Sequence, residues 1–265
     1  MSVIGRAHEL RAVRACLLAE RHALLEGPVG VGKTALARSI ASELERPWVR
    51  VDGDGRYSEA RLVGHFDPPQ VLERGYVPDA FVAGPLVDAM RAGGLLFVNE
   101  LNRMPEGVQN VLLPALDEGL VHVPHLGRVD AAPGFAVVAT QNPAEFVAAG
   151  ELSEALRDRF ELLVLDYQPV DEEQAIVAEQ ARLSPSQAVI EAAVALVRST
   201  RTDPRVRRGA SVRAAIAIAD LTVALDGDLV AAAGLALPTR VELHDPRGDV
   251  AGLLAELAAK KAPAR

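Results

Sequence analysis

The chain has 265 residues and a mass of 28.1 kDa, enough for one large domain, or a large one with a small satellite, around a sizeable core. Hydrophobic residues make up 49% and charged residues 24%, a globular composition. The formal net charge of -8 argues against a general nucleic-acid or membrane-surface binder and leaves room only for a local basic channel. Cys16 is the single cysteine, which excludes an internal disulfide and a cysteine-based structural zinc site. The N-terminal MSVIGRAHEL has no apolar signal core. The longest apolar stretch, residues 214–237, is interrupted by Asp220, Asp226 and Asp228 and reads as packed helices rather than a membrane span. A cytoplasmic protein is the expectation.

In chain order, Leu10, Val13 and Leu17 recur at helical spacing within residues 9–18. Ala23-Leu24-Leu25 is a short apolar run that ends at Gly27-Pro28 and reads as a buried strand. Residues 34–44 predict a helix with Leu36, Ile40 and Leu44 on one face, and 48–51 a second strand. Residues 53–85 are rich in Gly, Pro and Asp, too long for a structureless loop in a compact domain, so short helical or hairpin pieces are expected. A third strand over 95–98 ends at Asn99-Glu100. Residues 105–116 predict a helix opened by Pro105, and 120–129 a hairpin around Pro124 and Gly127. Strands four and five fall at 135–139 and 162–165. This alternation argues for a parallel sheet in an α/β layer. After Pro169 strand signals stop, and 171–183, 186–199, 211–225 and 248–259 read as helices. The expected division is an α/β domain over 1–168 and a small all-helical domain over 169–265, with a frayed tail from Lys260.

Gly27-Pro28-Val29-Gly30-Val31-Gly32-Lys33-Thr34 fits G-x-x-x-x-G-K-[ST] between a predicted strand and a predicted helix, the context that defines a P-loop. Glycines let backbone N–H groups converge on phosphate oxygens, and the helix aims its positive end at them. Lys33 brings a cation to the β/γ-phosphates and the Thr34 hydroxyl a ligand for Mg²⁺. A P-loop protein is expected to have a second strand beside the first, with acid at its carboxyl end, and Leu95 to Val98 followed by Asn99-Glu100 supplies it. Glu100 can orient or activate the attacking water. Position 99, normally an aspartate holding magnesium through water, is Asn.

With these motifs the chain resembles an AAA+ ATPase of the MoxR family, nearest the CoxD-like branch associated with von Willebrand A-domain proteins. Val3-Ile4-Gly5-Arg6 looks like the family's adenine-side segment. The P-loop is its Walker A. Residues 62–84, from Leu62-Val63-Gly64-His65-Phe66-Asp67 to Phe81-Val82-Ala83-Gly84, look like its helix-2 insert. Asn99-Glu100-Leu101-Asn102-Arg103 matches Walker B, and residues 120–131 the hairpin before sensor 1. Ala139-Thr140-Gln141-Asn142-Pro143 is similar to sensor 1, and Leu156-Arg157-Asp158-Arg159-Phe160 occupies the arginine-finger region. Gly209-Ala210-Ser211-Val212-Arg213 resembles sensor 2.

The resemblance implies a P-loop AAA+ core with a central parallel sheet and a helical lid. It implies ATP and Mg²⁺ as cofactors, and a homo-oligomeric ring, usually a hexamer, with ATP between neighbours. Ile4 and Gly5 would flank the adenine, and Asn99 would hold the metal through water. Asn142 would orient the attacking water, although Asn-Pro also starts turns by itself. Arg159 would be the arginine finger, with Arg157 a competitor, and otherwise a helix-end arginine paired with Asp158. Arg213 would reach ATP from the lid, or be a solvated helix arginine. His122 and His125 lack further ligands at metal-site spacing, and Cys16 reads as core. The function implied is chaperone-like remodelling of a partner complex, with a von Willebrand A-domain protein as partner. Two rivals stand beside it: a nucleotide-gated scaffold slowed by Asn99, and a DNA-acting ring motor, against which the charge counts. On sequence alone, Asn99→Asp is expected to tighten magnesium and speed turnover.

Overall fold

The computed structural model describes residues 3–142 and 151–261. Pro143 of the sensor 1 run and tail residues 262–265 lie outside the described residues. Contacts divide the chain into two units, one of residues 1–28 and 32–166, the other of residues 29–31 and 167–265.

The first unit opens with α1 (Ala7–Leu18), β1 (His22–Glu26), α2 (Lys33–Glu43) and β2 (Trp48–Asp52). The Gly- and Pro-rich stretch that follows forms α3 (Glu59–Leu62), β3 (Gly64–Phe66), α4 (Pro68–Arg74) and β4 (Phe81–Ala83), with β3 and β4 an antiparallel pair. Next come α5 (Pro85–Arg91), β5 (Leu95–Asn99), α6 (Glu106–Asn110) and α7 (Leu112–Asp117). One helix is expected over 105–116, and two short ones form. Pro114 has no N–H to give the carbonyl of Asn110, and the ladder breaks there. A hairpin of β6 (Leu120–Val123) and β7 (Gly127–Asp130), then β8 (Ala136–Gln141), α8 (Glu154–Arg157) and β9 (Phe160–Val164) complete the described part of the unit.

β1, β2, β5, β8 and β9 form one parallel sheet in the order β2-β5-β8-β1-β9. Its middle strands are apolar without alternation because helices cover both faces. Leu95, Leu96, Phe97 and Val98 are fully buried, as are Val137, Val138 and Ala139. The edge strand β9 instead leaves Leu162 and Val164 exposed. Phe97 stacks on Trp48 of β2, with centroids 5.0 Å apart.

The second unit contains α9 (Val170–Gln180), α10 (Gln187–Thr202), β10 (Val206–Arg208), α11 (Val212–Ala224), α12 (Leu229–Ala236), β11 (Glu242–Leu243) and α13 (Val250–Ala259). Its core is built from small side chains, among them Ala193, Ala214, Ala219, Ala232 and Ala233, which let helix axes approach closely. Ser186, Asp228 and Asp249 cap three of the helices with side-chain oxygens. The buried carboxylate of Glu173 is held by Arg198 at 2.9 Å and Arg201 at 2.8 Å, and Arg201 lies 3.8 Å over the Tyr167 ring. The unit is helical apart from the β10–β11 ribbon, whose strands of three and two residues are too short to leave a periodic signal. Among the described residues no helix is long and apolar enough to cross a membrane.

His22, at the start of β1, is buried between β8 and α7. Its Nδ1 accepts the Val137 N–H at 3.1 Å, so Nε2 carries the proton toward the Leu116 carbonyl, also at 3.1 Å. Burial pushes its pKa below the usual histidine value. The fold therefore favours the neutral ring. In the window below about 6.5 the unfolded chain binds the extra proton and the folded chain does not. Stability is full above that window and falls as pH drops through it. The melting temperature should decline from pH 7.5 to 5.5, and more steeply in the wild type than in His22→Gln. Parallel declines would show that His22 does not carry the dependence.

Candidate functional site

The sheet order decides what meets at its carboxyl ends. The acidic strand β5 is not beside β1 as the sequence suggested, because β8 is hydrogen-bonded between them; the loop after β1, the end of β8 and the Asn99-Glu100 turn after β5 then lie in sequence along the strand ends. Ligands of open parallel sheets bind at such ends.

The loop between β1 and α2 is a tight curl. Gly27 has φ of 152°, and a Cβ there would lie 2.2 Å from the Leu165 carbonyl oxygen, so only glycine fits where the chain leaves the sheet. The curl closes on Gly32, which has φ of 93° and precedes α2. Lys33, the first residue of α2, donates to the Gly27 carbonyl at 2.5 Å and the Pro28 carbonyl at 2.9 Å, so its ammonium sits inside the curl. Thr34 follows, half-buried. α2 begins with no side-chain cap and no acidic residue in its first turn. Its first N–H groups and the lysine together suit an anion. At the N-terminus, Gly5 and Arg6 are both left-handed, with φ of 67° and 61°. Buried Arg6 donates to Glu9 at 2.6 Å and to the Asp166 carbonyl, fixing the Ile4-Gly5 segment to the end of the first unit.

A single hydroxyl organises the neighbouring strand ends. Thr140 Oγ1, fully buried on β8, accepts the Glu100 N–H at 2.9 Å and donates to Asn99 Oδ1 at 3.1 Å. Glu100 is left-handed, φ 57° and ψ 51°, an uncommon state for a non-glycine residue that costs about 1 kcal/mol. Its carboxylate pairs with Arg103 at 2.8 Å. Gln141 donates to Glu26 at 2.5 Å, tying the end of β8 to the end of β1, and Asn142 follows, buried.

Two residues with no sequence motif belong here. Asn99 Nδ2 donates to Asp52 Oδ1 at 2.9 Å, and Asp52 is held by Arg50, whose Nη2 lies 2.6 Å away. The Arg50 hydrogen bonds, with Asn99 adding, hold the Asp52 carboxyl below the ordinary aspartate range. Gly53 donates its N–H to the Asn99 carbonyl at 2.7 Å, and a Cβ on it would lie 2.1 Å from the Glu100 carbonyl oxygen. The sequence signal for either is only that they follow the strand read over 48–51, as Asn99 follows the strand read over 95–98. Their meeting required the strand order.

Arg159 is elsewhere. It precedes Phe160, which pairs with His22 at the amino ends of β9 and β1. Five residues at about 3.3 Å rise put it roughly 16 Å along the sheet from its own P-loop. It pairs with Asp117 rather than with Asp158, from Nε at 2.9 Å and Nη2 at 2.8 Å, and donates from Nη1 to the Ala155 carbonyl at 2.8 Å. That contact holds the Asp117 carboxyl below its ordinary range. Arg157 and Arg213 are exposed, Arg157 at the end of α8 and Arg213 in the first turn of α11 of the second unit. His125, at the β6–β7 tip, stacks on Tyr76 with centroids 3.9 Å apart, so the hairpin and the 62–84 insert touch. Among the described residues no group of three or more His, Cys, Asp or Glu side chains is arranged to hold a metal. Cys16, read as core from the sequence, is only half-buried, and that partial burial pushes its thiol pKa up.

Fold and site define a P-loop nucleotide-binding protein whose second acidic strand is separated from the P-loop strand by one insertion. The AAA domain (dynein-related subfamily) matches residues 22–160. The gas vesicle ATPase GvpN2 of Halobacterium salinarum is 32% identical over 235 residues, covering 82% of this chain and 67% of that protein. GvpN of Haloferax mediterranei is 35% identical over 169 residues, covering 58% of this chain and 49% of its own length. The structure of a point mutant of RuvB from Thermotoga maritima superimposes with a TM-score of 0.58 at 20% identity, covering 88% of this chain and 70% of that one. The chain belongs to the AAA+ ATPases, a family of ATP hydrolases, and within them to the MoxR-like group. Members of this family generally assemble as oligomeric rings.

The close approach of Gly53 to the Glu100 turn gives a direct test. Gly53→Ala should cost about 1–3 kcal/mol through overpacking. Gly55→Ala, where a Cβ meets nothing within 4 Å, should be neutral within about 0.5 kcal/mol. Equal melting temperatures for the two variants would contradict the contact.

Proposed function

We propose that the chain binds ATP with Mg²⁺ at the carboxyl ends of β1, β8 and β5 and hydrolyses it to remodel a partner protein complex. The observation that carries this reading is the curl of residues 27–34 around the Lys33 ammonium, beside strand ends bearing Glu100 and Asn142. The residues fit the group. The uncapped start of α2 and the glycine-lined curl offer N–H donors where side chains would obstruct, and Thr34 offers a hydroxyl.

Magnesium, when bound, would neutralise charge on the β- and γ-phosphates. Lys33 and the loop N–H groups of residues 29–32 would bind the phosphate chain, and Ile4 and Gly5 would flank the base. Thr34 would ligate the metal and Asn99 would face its water shell. Glu100, released from Arg103, would accept a proton from the attacking water, and Asn142 would orient that water. Arg213 would report nucleotide to the second unit. Arg159, at the opposite end of the sheet from its own P-loop, is suited to act only on a neighbour's nucleotide, which favours a ring and, by the resemblance, a hexamer.

The named relatives are gas vesicle ATPases, and the partner proposed for this chain is a protein complex recruited through a von Willebrand A-domain protein in the cytoplasm. The second reading, a nucleotide-gated scaffold with slow turnover, is favoured by one observation: position 99 carries an amide already committed to Thr140 and Asp52. Steady-state ATPase rates separate the two, and pull-downs with Glu100→Gln in ATP should trap the partner.

Lys33→Ala should abolish ATP binding in calorimetry while the chain stays folded. Unchanged affinity would sink the P-loop assignment. Arg159→Ala should bind ATP and hydrolyse it poorly, and mixing it with Lys33→Ala subunits should restore part of the rate, because some interfaces then hold an intact P-loop and an intact finger. No recovery in rings whose mixing is confirmed by mass would remove the trans role.

A further inference from the structure

The carboxylate absent from position 99 is present one strand away. β2 and β5 pair in register to their last residues, with Asp52 opposite Asn99. The hydrogen-bond network fixes which way the Asn99 amide points. Thr140 Oγ1 already accepts the Glu100 N–H, so its own hydrogen is free to go to Asn99 Oδ1. Asn99 Nδ2 then faces Asp52 Oδ1 at 2.9 Å, and the flipped amide would set an oxygen against a carboxylate. Position 99 therefore needs an acceptor toward Thr140 and a donor toward Asp52. Asparagine provides both. Aspartate would put two carboxylates at hydrogen-bonding distance.

Asp52 is also oriented from its own strand. Arg50 Nε lies 3.0 Å from Oδ2 and Nη2 lies 2.6 Å from Oδ1, so the carboxylate is held from two sides. Its side chain is nevertheless 58% exposed, which leaves it open to solvent at the strand ends. Behind it, Gly53 packs directly against the Glu100 turn and donates its N–H to the Asn99 carbonyl at 2.7 Å, so the end of β2 and that turn are in contact.

We propose that Asp52 and Asn99 form one exchanged acidic unit, in which Asp52 is a positioning residue that carries the negative charge a strand-end aspartate would bring to the metal-bound nucleotide, and Asn99 couples it to Thr140 and Glu100. The proposal rests on the magnesium–nucleotide reading given above. It reverses what the sequence alone predicts for Asn99→Asp: alone, that substitution breaks the pair instead of repairing the site. The exchange restores it only when made at both positions.

Two measurements on the full chain test this. One is the ratio of the dissociation constant for a non-hydrolysable ATP analogue in EDTA to that in Mg²⁺, read by calorimetry, which reports the metal-dependent gain without turnover. The other is the melting temperature without nucleotide. Asp52→Asn should cut the ratio by about tenfold, the scale of a lost hydrogen bond to a charged group. Asn99→Asp should lower the melting temperature and leave the ratio no higher than wild type. The double variant Asp52→Asn/Asn99→Asp should recover both quantities. An Asp52→Asn ratio equal to wild type overturns the proposal and marks Asp52 as only a surface partner of Arg50. So does Asn99→Asp tightening magnesium at unchanged melting temperature. A wild-type ratio near one overturns the magnesium–nucleotide reading and this proposal with it, and so is distinguishable from failure of the proposal alone.

Discussion

The structure depends on β8 being hydrogen-bonded between β1 and β5. Parallel strands lie about 4.8 Å apart, so this one insertion sets the spacing between the curl that holds Lys33 and the turn that presents Glu100. It also places Thr140 and Asn142 in the intervening gap. Without β8 the two chemical halves would sit on adjacent strands, with no room between them for a polar group that touches both. With it, Gln141 reaches Glu26 on one side while Thr140 reaches Asn99 and Glu100 on the other. Thr140 is satisfied by the neighbouring strand end and the Gln141 amide N–H by Glu26, while the buried Gln141 Oε1 has no hydrogen-bond partner.

That arrangement concentrates local strain and close contact at one turn. Glu100 is left-handed, Gly53 lies against it, and Arg103 holds its carboxylate. A turn with two backbone constraints and one ion pair has few intermediate positions. The Glu100–Arg103 pair is exposed enough to be worth little in stability, so it is easily exchanged for contacts to a ligand.

Much of this was legible from residue types. The P-loop could be read because its glycines, lysine and threonine are chemically irreplaceable at their spacing, and the sheet strands could be read from short apolar runs, interrupted in β2 only by Arg50. The 53–85 stretch was expected to contain pieces, and α3, β3, α4 and β4 are those pieces. The break between α6 and α7 follows from Pro114, a signal that the single helix read over 105–116 left out of account. The helix α12 was submerged in a long apolar run, because alanine-rich helices lack the polar face that gives periodicity. Asp52 was illegible for a different reason. Its role depends on which strand lies beside β5, and a parallel sheet does not record its strand order in any local pattern.

Arg159 shows the same limit from the other direction. Its place in the motif named a role, while its contacts give the geometry. The guanidinium is held by the two oxygens of Asp117 and by the Ala155 carbonyl at the amino ends of the strands. The pair spans α7 and the turn before β9, and α7 leads directly into the β6–β7 hairpin. That hairpin in turn stacks His125 on Tyr76 of the insert. A continuous set of contacts therefore runs from the insert through the hairpin and Asp117 to Arg159, which lies at the opposite end of β1 from Lys33. The insert is also joined through residues 53–61 to the end of β2, which lies against the Glu100 turn, so its contacts run toward both ends of the sheet.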